Sequence, residues 1–381
     1  MPNFPPEEFD TRRSRACAAL RVADLDAIVL FAPESQYWLT GYDTFGFAMF
    51  QAMVLDADGG IDLLTRLPDL RQAQNTSILS TECIHVWPEV EGADPARDLA
   101  ALLTRRGLAG RRIGVETRTA GLTHHAGQRL DAALPGLIEA SDLIPALRRV
   151  KSPAELACIR RAASLSDAAL DAALATTGPG AFEGEIHAAM QGAILSAGGE
   201  PAANETIIGS GANALLCRSF AGRRVLDDTD QLTLEWSGSW MRYHAAMMRT
   251  LVIGTPNAAQ RRMHAAAVEA LEACEAALVP GRPMADVFEA HARVFDAHGL
   301  HAARLQACGY HMGIAYAPIW VEFPMFHAGN PLLLEAGNAV FLHMILMDSA
   351  SGLAVTLGHS LILGATGPER LSRHDTALIQ L

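Results

Sequence analysis

Glu235 is the residue in this sequence whose setting asks most plainly for chemistry. It lies between Leu234 and Trp236 in DTDQLTLEWSGSWMRYHAAMMRT (Asp228 to Thr250), where Leu232 and Leu234 alternate with Thr233 and Glu235. A period of two marks a half-buried strand, and an ionised carboxylate there is costly unless it is paired or put to use. Two readings stay open: an ion pair with Arg242 or Arg249, or a working carboxylate whose pKa is tuned by burial. Gly238 sits where a turn or bulge is expected, and Tyr243 to Thr250 resumes a strand. His244, His311, His343 and His359 fall at expected strand ends, where imidazoles serve as structural hydrogen-bond partners, substrate donors or transition-metal ligands.

The elements that must carry these groups fall into two domains, 1–148 and 149–381. In the first, residues 7–24 read as a helix and Ala27–Phe31 as a buried strand. Phe47–Leu55, Ile61–Leu64, Cys83–Trp87 and Arg112–Glu116 read as further strands, with helical patterns at Pro95–Arg106 and Leu122–Leu134. This is an α/β arrangement. The boundary is marked by a capping box, with Ser152 at N-cap, Pro153 at N1 and Glu155 at N3, opening a helix that runs to about Thr176. Further helices are expected at 182–197, 258–278 and 284–298.

Composition narrows the class. A chain of 381 residues suffices for two cores. No apolar run approaches the ~20 residues of a membrane span, and the N-terminus lacks the order of a signal peptide. Six scattered cysteines without CxxC spacing suggest neither a disulfide framework nor a zinc module. A cytoplasmic protein is expected. The net charge of −12 argues against a nucleic-acid surface.

The hairpin around Glu235 resembles that of the creatinase/aminopeptidase P/methionine aminopeptidase superfamily, whose catalytic domain is the α+β pita-bread fold. The resemblance implies a creatinase-like N-terminal domain, a mixed sheet with flanking helices, before that fold. Metallopeptidase members carry one Asp on the first strand and another eleven positions later. Here those positions are Glu235 and Ala246, with Arg249-Thr250 at the family spacing. The histidine that relatives place 17 residues upstream corresponds to Arg218, and the Gly-His-Gly-Ile-Gly turn to Gly309-Tyr310-His311-Met312-Gly313. One ligand glutamate maps to His343, or to Met344 with a one-residue slip. The last should fall in Leu353–Leu363, which holds no acid. A dinuclear site needs several anionic oxygens to offset roughly +4 of charge. No metal and no cofactor are therefore expected, and a Xaa-Pro metallopeptidase is the less favoured reading.

The hairpin, WLTGYD from Trp38, and the Trp320-x-Glu322 pair resemble the metal-free branch that includes ectoine hydrolase and creatinase. That resemblance implies hydrolysis of a small polar C–N compound: a cyclic amidine, an amide or an amino-acid derivative. Glu235 would be nucleophile or base, with Tyr310, His311 and His343 as proton donors or charge stabilisers. Arg218, Tyr243, His244, Arg249 and Glu322 would contact substrate; Arg218 or Arg249 would hold a carboxylate, although Arg249 also reads as a cross-strand structural pair. The family's dimers imply that Trp38, Tyr42 and Phe45 of a partner subunit cover the pocket. The alternative from another class is a non-enzymatic pita-bread binding module, which the acidic surface and absence of basic extensions disfavour.

Overall fold

The computed structural model describes residues 3–220 and 222–381. The chain forms two compact units, Met1–Arg148 and Arg149–Leu381. In the first, the elements are α1 (Pro6–Val22), β1 (Ala27–Leu30), α2 (Pro33–Thr40), β2 (Ala52–Asp56), β3 (Ile61–Thr65), α3 (Leu67–Thr76), β4 (Ile84–Val86), α4 (Pro95–Arg105), β5 (Ile113–Val115), α5 (His124–Ala133), β6 (Ile138–Glu139) and α6 (Leu143–Arg148). The sheet runs β4-β3-β2-β1-β5-β6 and is mixed: β1 and β3 pair antiparallel with β2, whereas β1–β5, β5–β6 and β3–β4 are parallel.

The first half of WLTGYD, Trp38 to Thr40, forms the end of helix α2. Pro33 sits at the start of α2, where its missing N–H is no loss, and Gly41, with φ of 80°, ends the helix in the left-handed region that suits glycine. Trp38 and Tyr42 are buried as a result. The Arg12 guanidinium donates to Trp38 O at 3.1 Å, and Tyr42 Oη donates to Gln51 Oε1 at 3.1 Å.

The second unit contains α7 (Pro153–Thr176), α8 (Glu183–Ser196), β7 (Ile207–Ser210), β8 (Asp230–Trp240), β9 (Tyr243–Ile253), α9 (Ala258–Ala277), α10 (Met284–Ala297), β10 (Ala307–His311), β11 (Glu322–His327), β12 (Ala339–Asp348), β13 (Leu353–Gly364), β14 (Gly367–Arg370) and β15 (Ile379–Gln380). Its sheet runs β11-β10-β12-β13-β9-β8-β7. The capping box of α7 is complete: Glu155 N donates to Ser152 Oγ at 3.2 Å, and Ser152 N to Glu155 Oε2 at 2.8 Å.

Strand alternation decides what this sheet shows to each side. Leu232, Leu234 and Trp236 of β8, with Met247, Leu251 and Ile253 of β9, pack with α7 and α8. Leu342, Met344 and Leu346 of β12, with Val355, Leu357 and Leu361 of β13, pack with α9 and α10. All four helices thus cover one face. The intervening residues, Glu235 among them, project from the other.

The hairpin turn is not at Gly238. It is the two-residue turn Met241-Arg242, with φ of 50° and 64°, a left-handed pair of the kind that matches strand twist. Non-glycine residues are held there because the Arg242 amide donates to Glu200 Oε2 at 2.9 Å and its guanidinium lies 4.9 Å from the Tyr316 ring. Gly238 lies inside β8, where α7 crosses closely. A Cβ there would collide with Ala162 O and lie 2.9 Å from Leu165 Cβ. Ser166 completes the junction, donating to Ala245 O and accepting from Gly238 N, both at 2.6 Å. Gly238→Ala should therefore force α7 off the hairpin and cost about 1–3 kcal/mol; urea unfolding that leaves the midpoint unchanged would refute this packing.

Candidate active site

Glu235 stands on the open face of β8, and among the described residues no counter-charge is within hydrogen-bond reach of it. Its one hydrogen bond among the described residues is a long one, 3.5 Å, from the Tyr310 hydroxyl. That hydroxyl in turn accepts from Trp320 Nε1 at 2.8 Å. The residue as a whole is half-buried and lines a narrow cavity. Burial raises its pKa to about 7, opposed by the charge of Arg218 and by the Tyr310 bond. The cross-strand ion pair with Arg242 or Arg249 is not what the structure contains: Arg242 faces Tyr316, and Arg249 is on the helical face.

Three further groups share the site. Tyr310 is buried and its pKa is raised well above the usual phenol value, first by burial and then by Glu235, so it stays protonated and able to donate. His343 lies 5.7 Å from the Tyr310 ring, between centroids. Its pKa is lowered to about 4 by burial, so its imidazole is neutral at pH 7, and its Nδ1 has no partner among the described residues. Arg218 is exposed, with no hydrogen bond or ion pair to a described residue, yet its charge acts on Glu235, Tyr310 and His343.

Other expected members of the site belong elsewhere. Alternation along β10 turns His311 away from Tyr310, and its ring stacks on Phe326 at 6.2 Å. Arg249 is 1% exposed on the helical face, and its guanidinium donates to the carbonyls of Met248, Gly358 and Asp375. Its role is to join strands. Tyr243 Oη donates to Glu155 Oε1 at 2.9 Å, pinning the hairpin to the start of α7. Glu322 pairs with Lys151 Nζ at 2.6 Å. His244 donates from Nδ1 to Arg242 O at 2.9 Å and accepts at Nε2 from Ala203 N at 3.0 Å, which fixes it neutral and structural. Of the three aromatics assigned to pocket cover, Trp38 and Tyr42 are committed to their own domain's interior, and Phe45 is 87% exposed.

Sequence reasoning missed the walls. The cavity beside Glu235 is formed by Ile207 and Leu216, Cys217, Met248, Ile345 and Met347, with Thr233 and Thr356. Parity along β9 and β12 was the available signal for Met248, Ile345 and Met347.

The residues at the superfamily's metal positions do not fit two metal ions. Ser237 pairs with Ala246, and Glu235 with Met248, on one face of the hairpin. Opposite Met248 and His343 on β13 stands Gly358. Neither Ala246 nor Gly358 offers a donor. A Cβ on Gly358 would lie 3.0 Å from Phe341 Cζ and 2.5 Å from Leu342 O, so a carboxylate side chain has no room there. One glutamate, a protonated phenol and a neutral imidazole are left, too little anionic charge for such a centre. No group of three or more His, Cys, Asp or Glu able to hold a metal occurs among the described residues.

A creatinase-type N-terminal domain before a pita-bread domain, with a carboxyl on the central hairpin, defines a hydrolase scaffold. Residues 157–363 match metallopeptidase family M24, and residues 12–150 match the creatinase/prolidase N-terminal domain. The chain belongs to family M24 and is a C–N bond hydrolase of that family. It is 28% identical to an uncharacterized hydrolase/peptidase, y4tM, of Sinorhizobium fredii, over 99% of this chain and 98% of that one. To the ectoine hydrolase of Halomonas elongata it is 26% identical, over 97% and 96%. Dipeptidase PepE from Mycobacterium ulcerans superposes with a TM-score of 0.86 at 25% identity, covering 99% of each chain. No helix among the described residues is long and apolar enough to cross a membrane.

The unpaired carboxyl has a thermodynamic signature. With a native pKa of about 7 against the ordinary glutamate value of 4.5, the native state holds its proton between those values while the unfolded state releases it. Stability from this group is full below pH 4.5 and is lost as pH rises through 7. Glu235→Gln should therefore match the wild type near pH 4 and exceed it at pH 8 by about 1–3 kcal/mol, after discounting for partial solvent access. Denaturant melts at the two pH values check this; a variant less stable at pH 8 would mean that Glu235 is held by an ion pair after all.

Proposed function

We propose that the protein hydrolyses a small polar C–N compound without a metal ion, using Glu235 as the working carboxylate. The substrate class is a cyclic amidine, an amide or an amino-acid derivative. The observation that carries the reading is a lone carboxyl, poised near neutrality, on the face where a metallopeptidase of this family would need a full ligand set. The similarity to ectoine hydrolase along nearly the whole chain supports it.

In its ionised form Glu235 takes a proton from water as the water oxygen bonds to the electrophilic carbon. The C–N bond then breaks, and the nitrogen leaves with a proton supplied by Glu235. Direct attack by the carboxylate, followed by hydrolysis of the ester-like intermediate, uses the same residue. Tyr310, kept protonated and oriented by Trp320, donates to the oxygen or nitrogen that gains negative charge. His343 contributes as a neutral imidazole. Arg218, exposed and uncommitted among the described residues, binds a substrate carboxylate. In a homodimer, Phe45 of the partner subunit would be the exposed aromatic able to cover the site.

Two measurements test this. With a substrate uncharged at the reacting group, kcat/KM should rise through about pH 7 and then level, because only ionised Glu235 is active. Glu235→Gln should lose at least about 10²-fold in kcat. Dialysis against a strong chelator should leave kcat unchanged, and elemental analysis should find less than one transition ion per chain. Full turnover by Glu235→Gln, or loss of activity restored by added Mn, Co or Zn, would overturn the proposal.

A further inference from the structure

Tyr310 meets Glu235 through a hydroxyl with a single proton, so the direction of that proton decides what the pair can do. The oxygen accepts from Trp320 Nε1 at 2.8 Å and lies 3.5 Å from Glu235 Oε1. An indole N–H donates and cannot accept. It therefore occupies one lone pair of the phenol. Among the described residues the phenol proton is left Glu235 to point at, or a substrate atom in its place. A hydroxyl that accepts is also the better donor. The indole accordingly pulls the Tyr310 pKa down, while burial and Glu235 push it up.

Trp320 is not placed by the sheet. It sits on the connection between β10 and β11, where Ala317 and Pro318 are exposed and the indole turns back into the interior. Hydrogen bonds hold this connection at both ends. At its start His244 N donates to Gly313 O at 3.0 Å, and Ala315 N to Arg242 O at 3.1 Å. At its end Trp320 N donates to Asn204 Oδ1 at 3.1 Å. Asn204 belongs to the loop between α8 and β7, which is tied to the same hairpin. Ala203 N donates to His244 Nε2 at 3.0 Å, and Glu200 Oε2 accepts from Arg242 N at 2.9 Å. The bonds close a ring: it leaves the hairpin at Arg242 and His244, passes through Asn204, Trp320 and Tyr310, and returns at Glu235.

We infer that Trp320 and Asn204 are positioning residues for the hydrolysis: the indole aims the Tyr310 proton at the Glu235 side, and the Asn204 side chain holds the indole in place. When a substrate atom gains negative charge beside Glu235, the proton is already directed at it and no hydroxyl rotation precedes the step. The inference deepens the reading of Glu235 as the working carboxylate and rests on it for turnover, though not for the hydrogen bonds themselves.

Its test reads the Glu235 carboxyl by NMR of the full chain with isotope-labelled glutamate, the signal assigned by its loss in Glu235→Gln. Arg218 and Cys217 from the loop after β7 and Tyr310 from β10 act on this carboxyl, and His343 of β12 adjoins Tyr310. Burial keeps the thiol and the phenol protonated and the imidazole neutral near pH 7, so the midpoint expected at about 7 belongs to Glu235. The Tyr310 bond holds that midpoint down, and Tyr310→Phe should raise it by about 0.3–1 pH unit. Trp320→Phe and Asn204→Ala should raise it by less, and neither should add anything in a Tyr310→Phe background. Asn204 is only half-buried, so Asn204→Ala carries the test should Trp320→Phe fail to fold. On a small amide that is turned over, both variants should lose about tenfold in kcat while KM holds within about twofold. Midpoints that stay put in the folded variants, or shifts that persist unchanged without the Tyr310 hydroxyl, would overturn the inference. Coupled shifts together with full turnover by Glu235→Gln would bring down the catalytic reading and leave the aiming of Tyr310 standing. Uncoupled shifts with an inactive Glu235→Gln would bring down the positioning roles alone.

Discussion

A carboxyl group with no cation in hydrogen-bond reach among the described residues is the constraint on which this structure turns. Glu235 is held where burial opposes its charge because the strand that carries it cannot rotate. Leu234 and Trp236 are committed to the core under α7 and α8, and a slip of one residue would exchange the two faces. Gly238 and Ser166 lock that register by letting α7 lie directly on the hairpin. The stability spent on an unpaired acid is thus underwritten by packing on the opposite side of the same strand. Strained or desolvated groups kept in place by an over-determined scaffold are characteristic of working sites.

The open face explains why the fold can persist while its chemistry changes. A dinuclear centre asks for inward-pointing donors from several strands at once, and losing two of them leaves metal charge uncompensated. In this chain the losses are filled rather than left empty. Met248 stands across from Glu235, and the Phe341 ring approaches where any side chain on Gly358 would need to go. Hydrocarbon in those positions lowers the local polarity and pushes the Glu235 pKa up. The apolar filling of those positions and the raised pKa of Glu235 are therefore one physical change.

How far the sequence disclosed this depends on the range of each signal. The capping box at Ser152 and the alternation around Glu235 are local, and both domains follow from such patterns. Membership of the site is not local. Arg249 and Met248 are adjacent in sequence, and which of them shares a face with Glu235 depends on where the hairpin turns. Taking Gly238 as the turn discards that register; two left-handed residues at Met241-Arg242, neither glycine, give no sequence cue. His311 is turned away for a related reason, since its neighbour Tyr310 occupies the inward position of β10. Trp38 and Tyr42 are buried because α2 and its Gly41 cap, and not a projecting loop, carry them.

Arg218 gives the electrostatics of the site a direction. Its loop is anchored before and after it: the buried Glu183 accepts from Ser210 N at 2.9 Å, and Arg224 donates to Ser210 Oγ at 2.8 Å while pairing with Asp230. In the free protein the Arg218 charge holds the Glu235 pKa down against burial. A substrate carboxylate seated on Arg218 would neutralise that influence and expel water from the carboxyl as well. Both effects act in the same sense, making Glu235 more avid for a proton once substrate is in place. The base would therefore be ionised before binding and strengthened by it. A ligand lacking the carboxylate would forfeit that gain, so selection for the substrate's charged end and activation of the acid would arise from the same guanidinium.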